Sequence, residues 1–137
     1  MLGPAILVHP VLQQGAASVT VYLPQGVWYD MDTNVKHVGP TTFEYPVSMA
    51  DTPTFIRGGH VVVRRDRARR STVAMAADPF TIVVAPDAAG HAVGELYLDD
   101  GKSFGFEKGA FVRRALTFTA FGKLACGGAW QTLFATS

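Results

Sequence analysis

The feature that most constrains this chain is a polar/apolar alternation of period two, interrupted every few residues by turn chemistry. Ser18-Val19-Thr20-Val21-Tyr22-Leu23 alternates, Pro24-Gln25-Gly26 breaks it, and Val27-Trp28-Tyr29-Asp30 resumes. This reads as a hairpin with a short loop. Thr42-Phe43-Glu44-Tyr45-Pro46-Val47 alternates again, with Pro46 marking a sheet edge. Thr54-Phe55-Ile56-Arg57 and His60-Val61-Val62-Val63 flank a turn at Gly58-Gly59. Phe80 to Ala85 is β-branched and lies between Pro79 and Pro86. Glu95-Leu96-Tyr97-Leu98 runs into Asp99-Asp100-Gly101, and Phe111 to Thr119 ends the series. Short strands at this spacing predict an all-β chain built as sandwich or barrel. Helix is predicted only at Ser71 to Ala77, as one or two turns with Ser71 as N-cap and Pro79 beyond the end. Gly122 to Trp130 is glycine-rich without clean alternation and is expected to be loosely ordered.

The chain's 137 residues suit one ordinary domain or two small ones. With 48% apolar residues and a net charge of +1, it has neither the composition of a disordered chain nor the basic surplus of a nucleic-acid binder. No run approaches the about 18 apolar residues of a membrane span, and Met1 to His9 lacks the basic start of a secretory signal. A single cysteine, Cys126, excludes an internal disulfide and a cysteine-based zinc site. Arg64-Arg65-Asp66-Arg67-Ala68-Arg69-Arg70 carries +4, which leaves −3 on the rest. Arginines of this kind suit phosphates, but no aromatic residue interleaves the run to stack bases, so it is expected to be a solvated loop or to pair with a neighbouring domain's carboxylates.

Two acidic clusters invite a chemical reading. Asp30 and Asp32 lie two apart in an extended segment, where their side chains can share a face. No helix-period run follows Asp32, so Trp28 is expected to pack in a core and Asp30 to end a strand. Asp99-Asp100-Gly101-Lys102-Ser103 offers oxygen ligands for calcium, but a turn with Gly101 at positive φ accounts for the same residues. His9, His37, His60 and His91 have no partners at metal-ligand spacing. Ser71 and Ser103 lack a nearby histidine for a triad, and Gly101-Lys102-Ser103 lacks the first glycine of a phosphate loop. No catalytic, cofactor or metal residue is assigned.

Five runs in one order carry a family resemblance. They are Ala5-Ile6-Leu7-Val8-His9-Pro10-Val11; Val21-Tyr22-Leu23-Pro24-Gln25-Gly26-Val27-Trp28-Tyr29-Asp30; Thr52-Pro53-Thr54-Phe55-Ile56-Arg57-Gly58-Gly59; Gly94 to Phe104; and Phe111-Val112-Arg113-Arg114. Over residues 1 to 119 the series resembles the C-terminal part of glycoside hydrolase family 31. Leu7-Val8-His9-Pro10-Val11 and Lys36-His37-Val38-Gly39-Pro40 are most similar to its endoplasmic-reticulum branch, the α subunit that trims glucose from N-glycans.

The resemblance implies two packed β-sandwich portions behind a (β/α)8 catalytic barrel. It assigns residues 1–10 to the barrel's end, 11–70 to a proximal sandwich and 71–137 to a truncated distal one that diverges after about 121. Met1 would then match an internal methionine of a longer enzyme, with the catalytic carboxylates upstream. The implied role is a non-catalytic fragment of an α-glucosidase whose partners are the missing barrel and a regulatory β subunit. An oligosaccharide substrate and an endoplasmic-reticulum lumen location belong to the intact enzyme. Phe55, Arg57, Gly58 and Gly59 are expected to form a barrel-facing loop, with Arg57 holding a carboxylate. The alternative is a free-standing carbohydrate-binding or protein-interaction module, with Trp28, Tyr29, Tyr45, Phe104 and Phe106 as candidate platforms. A mean hydropathy of +0.18 predicts apolar surface left uncovered on the fragment.

Overall fold

A computed structural model describes residues 1–127. The chain is all-β, and the described strands form two sheets. Strands β1 (Ile6–Val8), β2 (Ser18–Asp30), β3 (Lys36–Pro46) and β4 (Thr54–Arg57) form the first, in the order β1-β4-β2-β3. Strands β5 (His60–Arg64), β6 (Thr81–Ala85), β7 (Ala92–Leu98), β8 (Val112–Phe118) and β9 (Leu124–Gly127) form the second, in the order β6-β5-β7-β8-β9. The residues group into two compact units, Met1–His60 with Ala85–Ala92, and Val61–Val84 with Val93 onward.

In the first unit β2 is one continuous strand, where alternation predicts a hairpin at Pro24-Gln25-Gly26. It pairs antiparallel with β3 from Ser18↔Pro46 to Tyr29↔Lys36, and the register shifts between Leu23 and Gly26. That bulge is the reason: it absorbs the turn residues without reversing the chain. It also changes the phase of the strand. Val21 and Leu23 face the core before it, and Trp28 and Asp30 after it. The Trp28 indole Nε1 donates to the Pro24 carbonyl at 2.9 Å and braces the bulge. Across from it, a Cβ on Gly39 would lie 2.0 Å from the same oxygen, so only glycine fits there. Gly26 adopts φ 128°. The actual hairpin turn spans residues 31–35, between β2 and β3.

The core of this unit is Val21, Leu23, Trp28 and Phe55, with Leu7, Val19, Phe43 and Tyr45 against it. His37 stacks on Phe43 at 4.8 Å between ring centroids, and Phe55 meets Phe43 and Tyr45 edge-on. Strand β3 is the outer strand of the sheet and ends at Pro46, as expected of a proline that cannot donate.

In the second unit a Cβ on Gly94 of β7 would meet the Val61 carbonyl of β5 at 2.2 Å, a close approach only glycine permits. Arg113 of β8 donates to Glu95 of β7 at 2.7 Å. The helical turn expected at Ser71 to Ala77 is a single 3-10 turn, Val73–Met75, and Ala74 N donates to Ser71 Oγ at 3.3 Å. Leu124–Gly127 corrects the expectation of loose order: it pairs with β8 from Ala115↔Gly127 to Phe118↔Leu124. Backbone pairing needs no alternation, and all four residues of β9 are exposed. The remainder of the Gly122 to Trp130 stretch lies outside the described residues.

Candidate functional site

Asp30 is the most elaborately held carboxylate of the first unit. It closes β2 and is 2% exposed. Its Oδ1 accepts from the amides of Asp32 at 2.7 Å and Thr33 at 3.0 Å, and its Oδ2 accepts from the Tyr45 hydroxyl at 2.7 Å. Burial alone would push this carboxyl up. The bonds from Thr33, Tyr45 and Asp32 outweigh it and hold the carboxyl below the usual range. The Tyr45 hydroxyl, bonded to Asp30, is pushed up to about 12. A carboxylate with both oxygens committed to donors is an Asx-type turn organiser. Trp28 packs in the core and Asp30 ends its strand, as the sequence reading expects. An open groove of about 520 Å³ beside this turn is lined by Asp32, His37, Phe43, Tyr45 and Asp51.

The loop after β4 is the better candidate. Arg57 N donates to Ala5 O at 2.7 Å, Gly58 N to Val27 O at 2.7 Å and Gly59 N to Ala85 O at 2.8 Å. His60 Nδ1 faces the carbonyls of Arg57 and Gly58, so it serves as a donor within the loop. Gly59 adopts φ 89°, and a Cβ on Gly58 would lie 2.9 Å from both the Pro86 carbonyl and Val27 Cβ. The four residues expected to face a barrel therefore divide. Phe55 is fully buried in the core. Gly58 and Gly59 are packed against their own unit. Arg57 is exposed, and its guanidinium has no ion pair or hydrogen bond among the described residues.

Elsewhere the polar clusters are self-satisfied. Asp100 accepts from the amides of Lys102 and Ser103 and from Ser103 Oγ at 2.6 Å; these bonds, led by Ser103, pull its carboxyl down to about 2. Gly101 sits at φ 61°, so the turn reading explains the sequence. Within the arginine cluster, Arg69 makes a forked pair with Asp78 at 2.8 and 2.9 Å, and Arg64 meets Asp66 at 2.7 Å. Arg65 lies over the Phe80 ring at 4.2 Å. This run is thus paired within its own unit. Among the described residues no group of three or more histidine, cysteine or acidic side chains could hold a metal.

The candidate sugar platforms also divide. Trp28 is buried; Tyr29 donates to Pro86 O at 3.0 Å and Tyr45 to Asp30. Phe104 and Phe106 are exposed, but their rings stand at 49° to each other and form no flat surface. Sequence reasoning missed the role of Tyr45, whose hydroxyl completes the Asp30 turn. Its only signal is a tyrosine in a half-buried alternating strand.

Residues 1–62 match the family model of the Glycosyl hydrolase family 31 C-terminal domain. Human neutral alpha-glucosidase AB is 48% identical over 122 residues, which cover 87% of this chain and 13% of that protein. A crystal structure of the ER glucosidase II heterodimeric complex, a catalytic subunit with the binding domain of a regulatory subunit, aligns at TM-score 0.76 and 33% identity, over 86% of this chain and 14% of that one. A family 31 alpha-xylosidase from Xanthomonas citri aligns at TM-score 0.78 and 33% identity, over 98% of this chain and 15% of that one. The chain spans about 13% of the length of the curated relatives it matches.

Proposed function

We propose that this chain, whose residues 1–62 match the C-terminal domain of glycoside hydrolase family 31, is a non-catalytic β-scaffold that holds the catalytic barrel of an α-glucosidase in shape. The observation that carries this reading is the Asp30 turn. The carboxylate best placed to look catalytic spends every oxygen on ending a strand. The comparisons support it too. Structures of an α-xylosidase and of a glucosidase II align with this chain at the same 33% identity, which favours a role common to enzymes of different substrates.

In this reading residues 1–10 lead out of the barrel, and the proximal and distal portions, expected at 11–70 and 71–137, correspond to the units Met1–His60 with Ala85–Ala92 and Val61–Val84 with Val93 onward. The parent enzyme removes terminal α-linked glucose with retention, in N-glycan trimming within the endoplasmic-reticulum lumen. Its further partner is a regulatory β subunit. Arg57 is the contact: an exposed guanidinium at the end of a core strand, suited to a forked pair with a carboxylate of the barrel.

Co-expression with the barrel portion of human neutral alpha-glucosidase AB tests this. The two pieces co-purify, and Arg57→Glu weakens the association through like-charge repulsion while the chain stays folded by circular dichroism. A chain that never associates with the barrel contradicts the scaffold reading. An Arg57→Glu chain that associates as well as the native one contradicts the contact. A free-standing sugar module is the second reading; of its candidate platforms Trp28 is buried, Tyr29 and Tyr45 are hydrogen-bonded within the unit, and Phe104 and Phe106 are tilted to each other.

A further inference from the structure

The first unit is not a contiguous stretch of chain. It runs to His60, and a separate segment, Ala85–Ala92, belongs to it as well. We infer that Ala85–Ala92 is an integral clasp of the first unit, seated against Tyr29, Gly58 and Gly59, so that residues 1–62 are not a complete fold. This inference does not depend on the scaffold reading.

Three independent contacts carry it. The Tyr29 hydroxyl donates to the Pro86 carbonyl at 3.0 Å, across 57 residues of sequence. Gly59 N donates to the Ala85 carbonyl at 2.8 Å. Gly58 has no room for a side chain, because a Cβ would lie 2.9 Å from the Pro86 oxygen. The glycine pair is thus explained by an occupant from the same chain. The clasp is also bonded within itself. Asp87 Oδ1 accepts from the amides of Ala89 at 2.8 Å and His91 at 2.9 Å, and Asp87 N donates to His91 O at 2.8 Å. These local bonds close the loop on itself, and its Ala85 and Pro86 carbonyls accept from Gly59 and Tyr29. Both ends, Ala85 and Ala92, are 1% exposed. Without the segment, the Gly59 amide and the Tyr29 hydroxyl would lose their acceptors.

Native-state hydrogen exchange on the full chain tests the inference. The amides of Gly59, Asp87 and Gly90 exchange together with those of β2 and β4. Tyr29→Phe removes one bond and speeds exchange of this set by about five- to tenfold, while the amides of β8 keep their rates. Replacing Ala85–Ala92 by a Gly/Ser loop of equal length removes protection throughout β2 and β4. Two results would overturn the inference: free exchange of the 85–92 amides in the native chain, or exchange there that Tyr29→Phe leaves unchanged. If the loop replacement unfolds the whole chain, Tyr29→Phe alone decides.

Discussion

Asp30 and Tyr45 show how one residue pair sets both ends of the pH range. The fold prefers ionised Asp30, whose carboxyl is held low against the upward push of burial by the bonds from Thr33, Tyr45 and Asp32. Its contribution is full above an unfolded pKa of about 3.9 and is lost as pH falls through the lower folded value. The fold prefers neutral Tyr45. Its contribution is full below an unfolded pKa of about 10 and is lost as pH rises through its folded value of about 12. Asp30→Asn should therefore lower the melting temperature at neutral pH, at a cost of about 1–3 kcal/mol, and flatten its decline below about pH 4. It should also bring the tyrosinate absorbance of Tyr45 to lower pH. Equal acid profiles for the variant and the native chain would show that the turn does not depend on this carboxylate.

The elements show what the sequence makes legible. Period-two alternation makes β2, β3, β7 and β8 legible, because each buries one face more than the other, whereas β4 and β6 are legible as short apolar runs bounded by turn residues and prolines. Pro24-Gln25-Gly26 misled because proline and glycine mark bulges as readily as hairpins; the Trp28 indole bond that holds the bulge is invisible in a linear pattern. Strand β9 escaped because an exposed edge strand is chosen by backbone pairing. The Gly58-Gly59 signal is legible as a turn, and in the fold Gly58 also makes a close approach. Its occupant was not legible, since Pro86 lies far along the chain. Phe55, expected on a barrel-facing loop, lies in β4 beside Ile56, and both are buried. Gly39→Ala is the sharpest test at this scale. Its Cβ would sit 2.0 Å from the Pro24 carbonyl, so the bulge must move, at a cost of about 2–4 kcal/mol read from the denaturation midpoint. A shift within about 0.5 kcal/mol would show that the bulge gives way freely.

At the scale of the whole chain, what remains uncovered matters as much as what is packed. Leu12, Val38, Phe104 and Phe121 are 87%, 67%, 75% and 92% exposed. Single exposed apolar residues are ordinary, yet these accompany only 17% charged residues. The isolated chain should self-associate as its concentration rises, which sedimentation velocity would record; a monomer at every concentration would show that this surface needs no partner. The central claim is that the strands support a sugar-cleaving barrel without reacting themselves. Incubating the purified chain with a chromogenic α-glucoside tests it most directly. Release of chromophore should stay at the buffer rate, whereas turnover above that rate, abolished by Asp30→Asn, would put the chemistry in this chain and contradict the account.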